Sequence, residues 1–473
     1  MNLKGISYYL GLFCFPLSFL SFLNILYSSY FDYFLNFDAY TITLFFSLFI
    51  GGFLVFLGKN SEKKINFHEQ ILLIILIYLV SSLLISIPYY LSNYQITFIN
   101  ALFEAFSGIS VTGFSIFENI KYLDPTLIIW RSSSQWIGGL YFLIFLVLFF
   151  SNTQFNYKLN HLVFTEYKSL NPESNIKKVS LKIFLIYLML SLLIFILFSI
   201  SGVRLFNGLN LSMTLISTGG FLPTNSLSQI IKSNFQEIIL IISFIISLLN
   251  IYFLLSIFNN QKNFFKKHYE DFLLIILVFA LSIIIFLSIG NINYVETLSI
   301  VLSSINTSGI SISKINNNFS FLLLILTIIG GSLISNTSGI KFIRFYILLK
   351  ASFLEVLRLV KPNNIVNQNI LLSNKKIDNE NIKISFLIFI SFFISLFILS
   401  SILLLDNFNF ENSFKLSILT ITNTSTSGLY GLGGINFSNL LTSSKISLII
   451  FMIIGKIELI SFFLIIKKIL FKN

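Results

Sequence analysis

The stretch 107–115 reads SGISVTGFS and lies between two long apolar runs. Comparable stretches follow as LISTGGFLP at 215–223, INTSGISIS at 305–313 and TSTSGLYGL at 424–432. In each of them serine or threonine precedes glycine, after an apolar run of helical character. One copy would be typical of a turn, whereas four copies in similar positions predict a fourfold repeat with a common purpose.

The composition predicts an integral membrane protein. Of the 473 residues, 55% are hydrophobic and only 11% are charged, against about 25% charged residues in average globular domains. The lone cysteine, Cys14, excludes an internal disulfide. The three histidines are far apart, and we find no nucleophile–base pair, metal cluster or nucleotide motif. We therefore expect neither an enzyme nor a bound cofactor. The net charge of +12 is interpreted from where the basic residues lie along the chain, not as a sign of nucleic-acid binding.

Ten segments are long and apolar enough to span a membrane, which takes about 20 residues. They lie at 6–29, 39–58, 70–92, 126–151, 181–200, 236–258, 272–289, 319–349, 384–404 and 444–468. Lysine and arginine concentrate in alternate linkers: with Lys4 and the adjoining ends of the spans, one set holds 21 of the 31. Since cytoplasmic loops are rich in these residues, both termini are predicted to be cytoplasmic and all four Ser/Thr-Gly stretches to lie on the outer side.

Each outer linker contains a short apolar segment of roughly ten residues, too short to cross the membrane. Such a segment is typical of a re-entrant half-helix. The chain is therefore predicted to repeat the order span, half-helix, Ser/Thr-Gly stretch, span. The predicted divisions are two extra N-terminal helices at 1–62 and four units at 63–165, 166–262, 263–360 and 361–473.

Four equivalent stretches can surround one axis, where their carbonyl oxygens can replace the hydration shell of a cation. The negative ends of the half-helices add to this effect, and glycine leaves the path free of side chains. No carboxylate lies in these stretches, which argues against a divalent cation. The predicted ion-binding residues are Ser110, Val111, Thr112, Gly113, Ile216, Ser217, Thr218, Gly219, Gly220, Asn306, Thr307, Ser308, Gly309, Thr424, Ser425, Thr426, Ser427 and Gly428, with Gly113, Gly220, Gly309 and Gly428 as the equivalent glycines.

Several motifs resemble the TrkH/KtrB/HKT superfamily of potassium transporters. FEAFSGISVTGF at 103–114 resembles its first pore loop, and WRSSSQWIGGLYFLIF at 130–145 the run that follows. STGGF at 217–221 resembles the second filter, and GGSLISNTSGIKFIRFYILLK at 330–350 the broken helix of the third unit. The resemblance covers nearly the whole chain. It implies an all-α integral membrane protein of ten transmembrane helices, with four span–pore-loop–span repeats around one pore plus two N-terminal helices, as in the TrkH branch.

The resemblance also implies the function and the partners. The transported ion would be potassium at the filter residues, since Gly113 stands where serine is associated with sodium permeation in this superfamily. An intramembrane gate would comprise Gly330, Gly331, Ser335, Asn336, Thr337, Ser338, Gly339 and Lys456. A homodimer in the bacterial inner membrane, with a cytoplasmic TrkA-like nucleotide-binding (RCK) subunit docking on the basic linkers 152–182 and 350–385, is expected. The fourth filter, Ser-Thr-Ser-Gly-Leu, and the pair Gly455-Lys456 depart from the family's Gly-Pro-Gly-Leu and Gly-Arg.

Four charged residues carry open alternatives. Three roles are open for Lys341 and Arg344: contact with the gate, contact with the regulatory partner, or a side chain that reaches the cytoplasmic interface. Lys456 faces the pore, or pairs with Glu458 or a backbone group. Arg131 is expected to anchor the pore loops through Glu104 or Glu118.

Two other functions remain open. One is a sodium-permeable or cation-coupled symporter on the same scaffold, for which Glu458 is the acid deepest in a predicted span. The other is a membrane sensor without transport.

Overall fold

The computed structural model describes residues 2–32, 36–61, 65–150, 176–258, 268–289, 293–312, 319–360, 368–372, 376–406 and 408–457. Within these ranges the chain forms sixteen α-helices and no strand beyond one isolated bridge between Asn369 and Lys376. The helices are α1 Leu3–Tyr30, α2 Phe37–Gly58, α3 Phe67–Tyr90, α4 Phe98–Ile109, α5 Pro125–Phe150, α6 Ile176–Ile200, α7 Leu205–Ser217, α8 Asn234–Leu248, α9 Ile251–Phe258, α10 Tyr269–Ile289, α11 Tyr294–Ile305, α12 Ser320–Ile329, α13 Phe342–Val360, α14 Asn379–Leu404, α15 Phe410–Ile421 and α16 Thr442–Ile457.

Six helices of the described ranges are long and apolar enough to cross a membrane. They are Leu3–Tyr30, Phe37–Gly58, His68–Tyr90, Val179–Ile200, Tyr269–Ser288 and Asn379–Leu404. Large apolar side chains on them, such as Phe49 and Leu287, are about three-quarters exposed, as is expected of residues that face lipid. The prediction of an all-α membrane protein is confirmed, while the number of ten spans remains a prediction.

The four short helices predicted between spans are α4, α7, α11 and α15, of 12 or 13 residues each. At 1.5 Å per residue each is roughly 18–20 Å long, which is less than the hydrocarbon thickness of about 30 Å. Their final turns are buried. Each of them therefore ends inside the protein and delivers the chain to a non-helical loop.

Glycines let longer helices pack against the ends of these short ones. A Cβ built on Gly138 of α5 would lie 2.0 Å from the Ile109 carbonyl oxygen at the end of α4. Likewise, a Cβ on Gly455 of α16 would lie 2.2 Å from the Ile421 oxygen at the end of α15. Any side chain at either position would push the short helix away.

The prediction of one continuous helix over 236–258 is wrong, because α8 ends at Leu248 and α9 begins at Ile251. Hydrogen bonds to residues distant in the sequence cause this break. The N–H of Asn250 donates to Asp271 Oδ1 at 2.9 Å, and that of Ile251 donates to the Ile334 carbonyl at 3.1 Å. The predicted span 319–349 is divided into α12 and α13 by the non-helical residues 330–341, which agrees with the broken helix that the resemblance implied there.

Candidate functional site

The loops after α4, α7, α11 and α15 share one backbone conformation. Each contains a residue with positive φ: Val111 (65°), Thr218 (64°), Thr307 (57°) and Asn423 (49°). The N–H of the next residue returns to a carbonyl of the preceding helix at 2.8–3.1 Å, in the pairs Thr112–Ser107, Gly219–Thr214, Ser308–Ser303 and Thr424–Leu419. These repeated features fix the correspondence between the four loops residue by residue.

The next position is glycine in three loops and serine in the fourth: Gly113, Gly220, Gly309 and Ser425. We call these four residues the ring. The sequence-based choice of Gly428 as the fourth equivalent glycine is therefore wrong. Gly428 lies three residues further on, where it begins the turn Gly428–Tyr430. Matching the Ser/Thr-Gly pattern selected the wrong residue because it ignored the distance from the end of the helix.

The ring residues lie in direct contact. A Cβ on Gly113 would be 2.7 Å from the Gly220 Cα, and a Cβ on Gly309 would be 2.6 Å from the Ser425 carbonyl oxygen. Asn423 links the fourth loop to the first through a 2.9 Å bond from Nδ2 to Thr112 Oγ1. The four loops thus converge on one point, with the carbonyl-bearing ends of four helices directed towards it.

Three of the loops are held by a side chain of their own helix. Ser107, Thr214 and Ser303 each donate a hydroxyl hydrogen to the carbonyl seven residues later, on Phe114, Phe221 and Ile310, at 2.5–3.0 Å. Leu419 occupies the corresponding position in α15 and has no hydroxyl. The fourth loop therefore lacks this restraint.

Arg131 of α5 anchors the first loop, as predicted, and its partner is Glu104. Arg131 Nε lies 2.8 Å from Glu104 Oε1, and both side chains are at most 1% exposed. The guanidinium also donates to Ser115 Oγ and lies 4.2 Å from the centre of the Phe221 ring. The alternative partner Glu118 instead accepts a bond from Asn436.

A cavity of about 1120 Å³ borders the ring on one side. The ring residues contribute to its lining, together with residues that follow each loop, among them the predicted residues Thr426, Ser427 and Gly428. The remaining predicted residues, Ser110, Ile216, Ser217 and Asn306, lie at or beside the ends of the short helices.

Residues 330–341, which we call the 330–341 segment, lie on the opposite side of the ring. Gly330 and Gly339 have positive φ, and the segment folds back through a 3.0 Å bond from Phe342 N to the Gly331 carbonyl. Asn336 Nδ2 donates to the Ile216 carbonyl at the end of α7, at 2.8 Å. Ser338 N donates to Thr307 Oγ1 at 3.3 Å. The order in space is therefore cavity, ring, segment.

Two buried lysines hold the segment in place: Lys341, which is its last residue, and Lys456 of α16. Lys341 Nζ donates to the Thr337 carbonyl at 2.5 Å and the Ser335 carbonyl at 3.1 Å. Lys456 Nζ donates to the Asn336 carbonyl at 2.8 Å. Lys341 therefore contacts the segment rather than reaching the interface, and Lys456 has a backbone partner. Arg344 is buried at the start of α13, while Glu458 lies outside the described residues.

Two buried acids on the far side of the segment were missed by the sequence analysis. Glu270 Oε1 accepts from the Leu333 N–H at 2.7 Å, and Asp271 accepts from the Ser332 hydroxyl. They occur in a polar stretch that resembles a solvated linker. Their position at the start of α10 was the available signal, because a helix N-terminus favours negative charge.

Comparison with known proteins gives consistent matches over most of the chain. It is 28% identical over 451 residues to an uncharacterized cation transporter of Methanocaldococcus jannaschii, covering 91% of this chain and 88% of that protein. It is 26% identical over 440 residues to the Trk system potassium uptake protein TrkH of Escherichia coli K12, covering 89% of each.

The fold also matches the crystal structure of the potassium transporter TrkH from Vibrio parahaemolyticus. The TM-score is 0.81 at 20% identity, with 98% of each chain covered. The TrkH family model, described as cation transport protein, matches residues 37–308 and 302–472. Together with four converging loops on a helical membrane scaffold, this match assigns the chain to the TrkH family of cation transport proteins.

Proposed function

We propose that this chain carries potassium ions into the cell, with the ring and the loops around it as the selectivity filter. The observation that carries the proposal is the convergence of four equivalent loops on a point bordered by a polar cavity. Backbone carbonyls in such a place can substitute for the water around a monovalent cation. The Escherichia coli relative is named for potassium uptake, which supports potassium as the ion.

The 330–341 segment is the proposed gate. It is bonded to the loops on the side away from the cavity, so an ion that passes the ring meets it next. Asn336 is central, because its side chain bonds the end of α7 while its carbonyl accepts from Lys456. Displacing the segment would break both bonds and open the path.

The proposed setting is the bacterial inner membrane with both termini in the cytoplasm, supported by the linkers that are rich in lysine and arginine. A second copy of the chain and a cytoplasmic TrkA-like nucleotide-binding subunit are the proposed partners, by likeness to the family. Sodium permeation is the second candidate function, because Ser425 stands at a ring position where the other loops have glycine.

Expression in cells that lack their own potassium uptake tests the main proposal. We expect growth at low potassium and rubidium influx above that of vector-only cells, with the TrkA-like subunit of the source organism supplied. Absence of rubidium influx despite normal abundance in the membrane would contradict the proposal and favour a non-transporting sensor. Faster sodium than rubidium influx would favour the second candidate.

The gate makes a separate prediction. The variant Asn336→Ala loses the bond to the Ile216 carbonyl, so the closed arrangement is weakened by about 1 kcal/mol, or about fivefold in its equilibrium. We expect a rise in rubidium influx measured without the regulatory subunit. Asn24→Ala is the matched control, since the buried Asn24 amide bonds the Leu20 carbonyl of its own helix. Equal influx from the Asn336 variant and the wild type would argue against the segment as gate.

A further inference from the structure

The buried side chain of Phe142, on α5, lies next to both lysines that hold the 330–341 segment. Lys456 Nζ lies 4.5 Å from the centre of the Phe142 aromatic ring, and Lys341 Nζ lies 5.7 Å from it. Both distances are within the roughly 6 Å at which an ammonium group over an aromatic face is attracted to it. One aromatic side chain thus contacts two cations that come from different parts of the chain.

Lys456 depends on this contact because it has few others. An ammonium group carries three donors, and the one hydrogen-bond acceptor that Lys456 finds among the described residues is the Asn336 carbonyl. A buried charge without compensation is costly, and a cation–π contact is strongest where water is excluded. The Phe142 face therefore supplies compensation for the Lys456 charge that the single hydrogen bond leaves wanting.

Contacts on both sides of α5 fix the position of Phe142. The Tyr141 hydroxyl donates to the Phe13 carbonyl of α1, and the Trp136 carbonyl accepts from the Tyr187 hydroxyl of α6 at 3.0 Å. The same helix packs closely on the end of α4 through glycine. The aromatic face is therefore presented by a helix that is fixed on several sides.

We propose that Phe142 is a positioning residue of the gate, whose aromatic face stabilises the two ammonium groups while the 330–341 segment is in place. This inference rests on the proposed function of the segment. Because Lys341 is the last residue of the segment, a displacement that opens the path takes its ammonium group away from Phe142. The same displacement breaks the bond between Lys456 and Asn336. The cation–π contacts thus belong to the closed arrangement and add to its stability.

A fluorinated phenylalanine at position 142 of the full chain tests the electrostatic contact with little change in shape. The face of an aromatic side chain carries negative charge, and three fluorine atoms on its edge withdraw electrons from that face. We expect rubidium influx, measured without the regulatory subunit, to rise by ~2- to 30-fold, the range that the strength of one cation–π contact spans. The same replacement at Phe198 is the control, since Phe198 is buried and no cation of the described residues lies over it.

A double replacement separates this role from packing. Phe142→Leu removes the aromatic face and keeps an apolar side chain, so it should also raise rubidium influx. In a Lys456→Met background the same change should have a smaller effect, because the cation nearest to Phe142 is already absent and the two effects are coupled. An equal effect in both backgrounds would show that Phe142 acts through packing alone and would overturn the proposal.

The results also separate this inference from the proposals on which it rests. If Asn336→Ala raises influx and the fluorinated side chain at position 142 leaves it unchanged or lowers it, the role of Phe142 is overturned and the gate stands. If neither change raises influx, both the gate and the role of Phe142 are overturned. A wild type that carries no rubidium even with the regulatory subunit would overturn the proposed function itself.

Discussion

Rubidium influx is expected to fall about 100-fold when Gly113 is replaced by alanine. The Gly113 φ of 82° costs a residue with a Cβ about 1–2 kcal/mol. The Cβ would also lie 2.7 Å from the Gly220 Cα, and overpacking of this kind costs about 1–3 kcal/mol. The two contributions, added at the midpoints of their ranges, exceed the ~2.7 kcal/mol that corresponds to a 100-fold change in rate.

Alanine substitutions at two other glycines separate the effect of backbone strain from that of the steric contact. Gly202 has a φ of 80° with no atom within 4 Å of an added Cβ, and Gly434 has open space at an ordinary φ. Alanine at Gly202 therefore tests backbone strain without the contact, and alanine at Gly434 tests neither. We expect a modest effect at Gly202 and none at Gly434. A Gly113→Ala variant that transports as well as the wild type would contradict the proposal that the ion passes through the ring.

The second large effect is expected at Arg131. Arg131→Ala leaves the buried Glu104 carboxylate without its cation, a loss that costs about 3–5 kcal/mol of folding free energy. We expect a clear fall in the thermal midpoint of the purified protein and loss of rubidium influx. Arg358→Ala is the matched control, because its ion pair with Glu355 is 43% and 65% exposed and such surface pairs contribute about 0–1 kcal/mol.

A double replacement distinguishes charge burial from packing. Arg131→Met combined with Glu104→Gln removes both charges while keeping similar volumes. It should be more stable than Arg131→Ala, since no uncompensated charge remains buried. If Arg131→Ala unfolds at the same temperature as Arg358→Ala, the ion pair is not a structural anchor.

The loops could be predicted because local chemistry defines them: a short apolar helix followed by Ser/Thr and glycine. The position of the ring in the fourth loop could not, because Gly428 fits the local pattern and Ser425 does not. What selects Ser425 is its distance from Asn423, whose positive φ is visible only in the folded chain.

Features that depend on distant partners were also missed. The break between α8 and α9 lies in an apolar run, and its cause is bonding to Asp271 and Ile334. Glu270 and Asp271 resembled linker residues until the fold brought them to the 330–341 segment. For Lys341 the sequence left three roles open, and its contacts with Ser335 and Thr337 select one of them.

The bonds between the 330–341 segment and the α8–α9 junction have a consequence for regulation. Ser332 N donates to the Leu248 carbonyl, and Ile251 N donates to the Ile334 carbonyl, so the segment between α12 and α13 is attached to the α8–α9 junction as well. A displacement of the segment must therefore carry the junction with it or break these bonds. With the segment as the proposed gate and the ring as the proposed filter, the fraction of time that the gate is open depends on residues far from the ion, whereas the choice of ion depends on the ring. Open probability and ion selectivity should accordingly change independently under mutation, each governed by its own part of the chain.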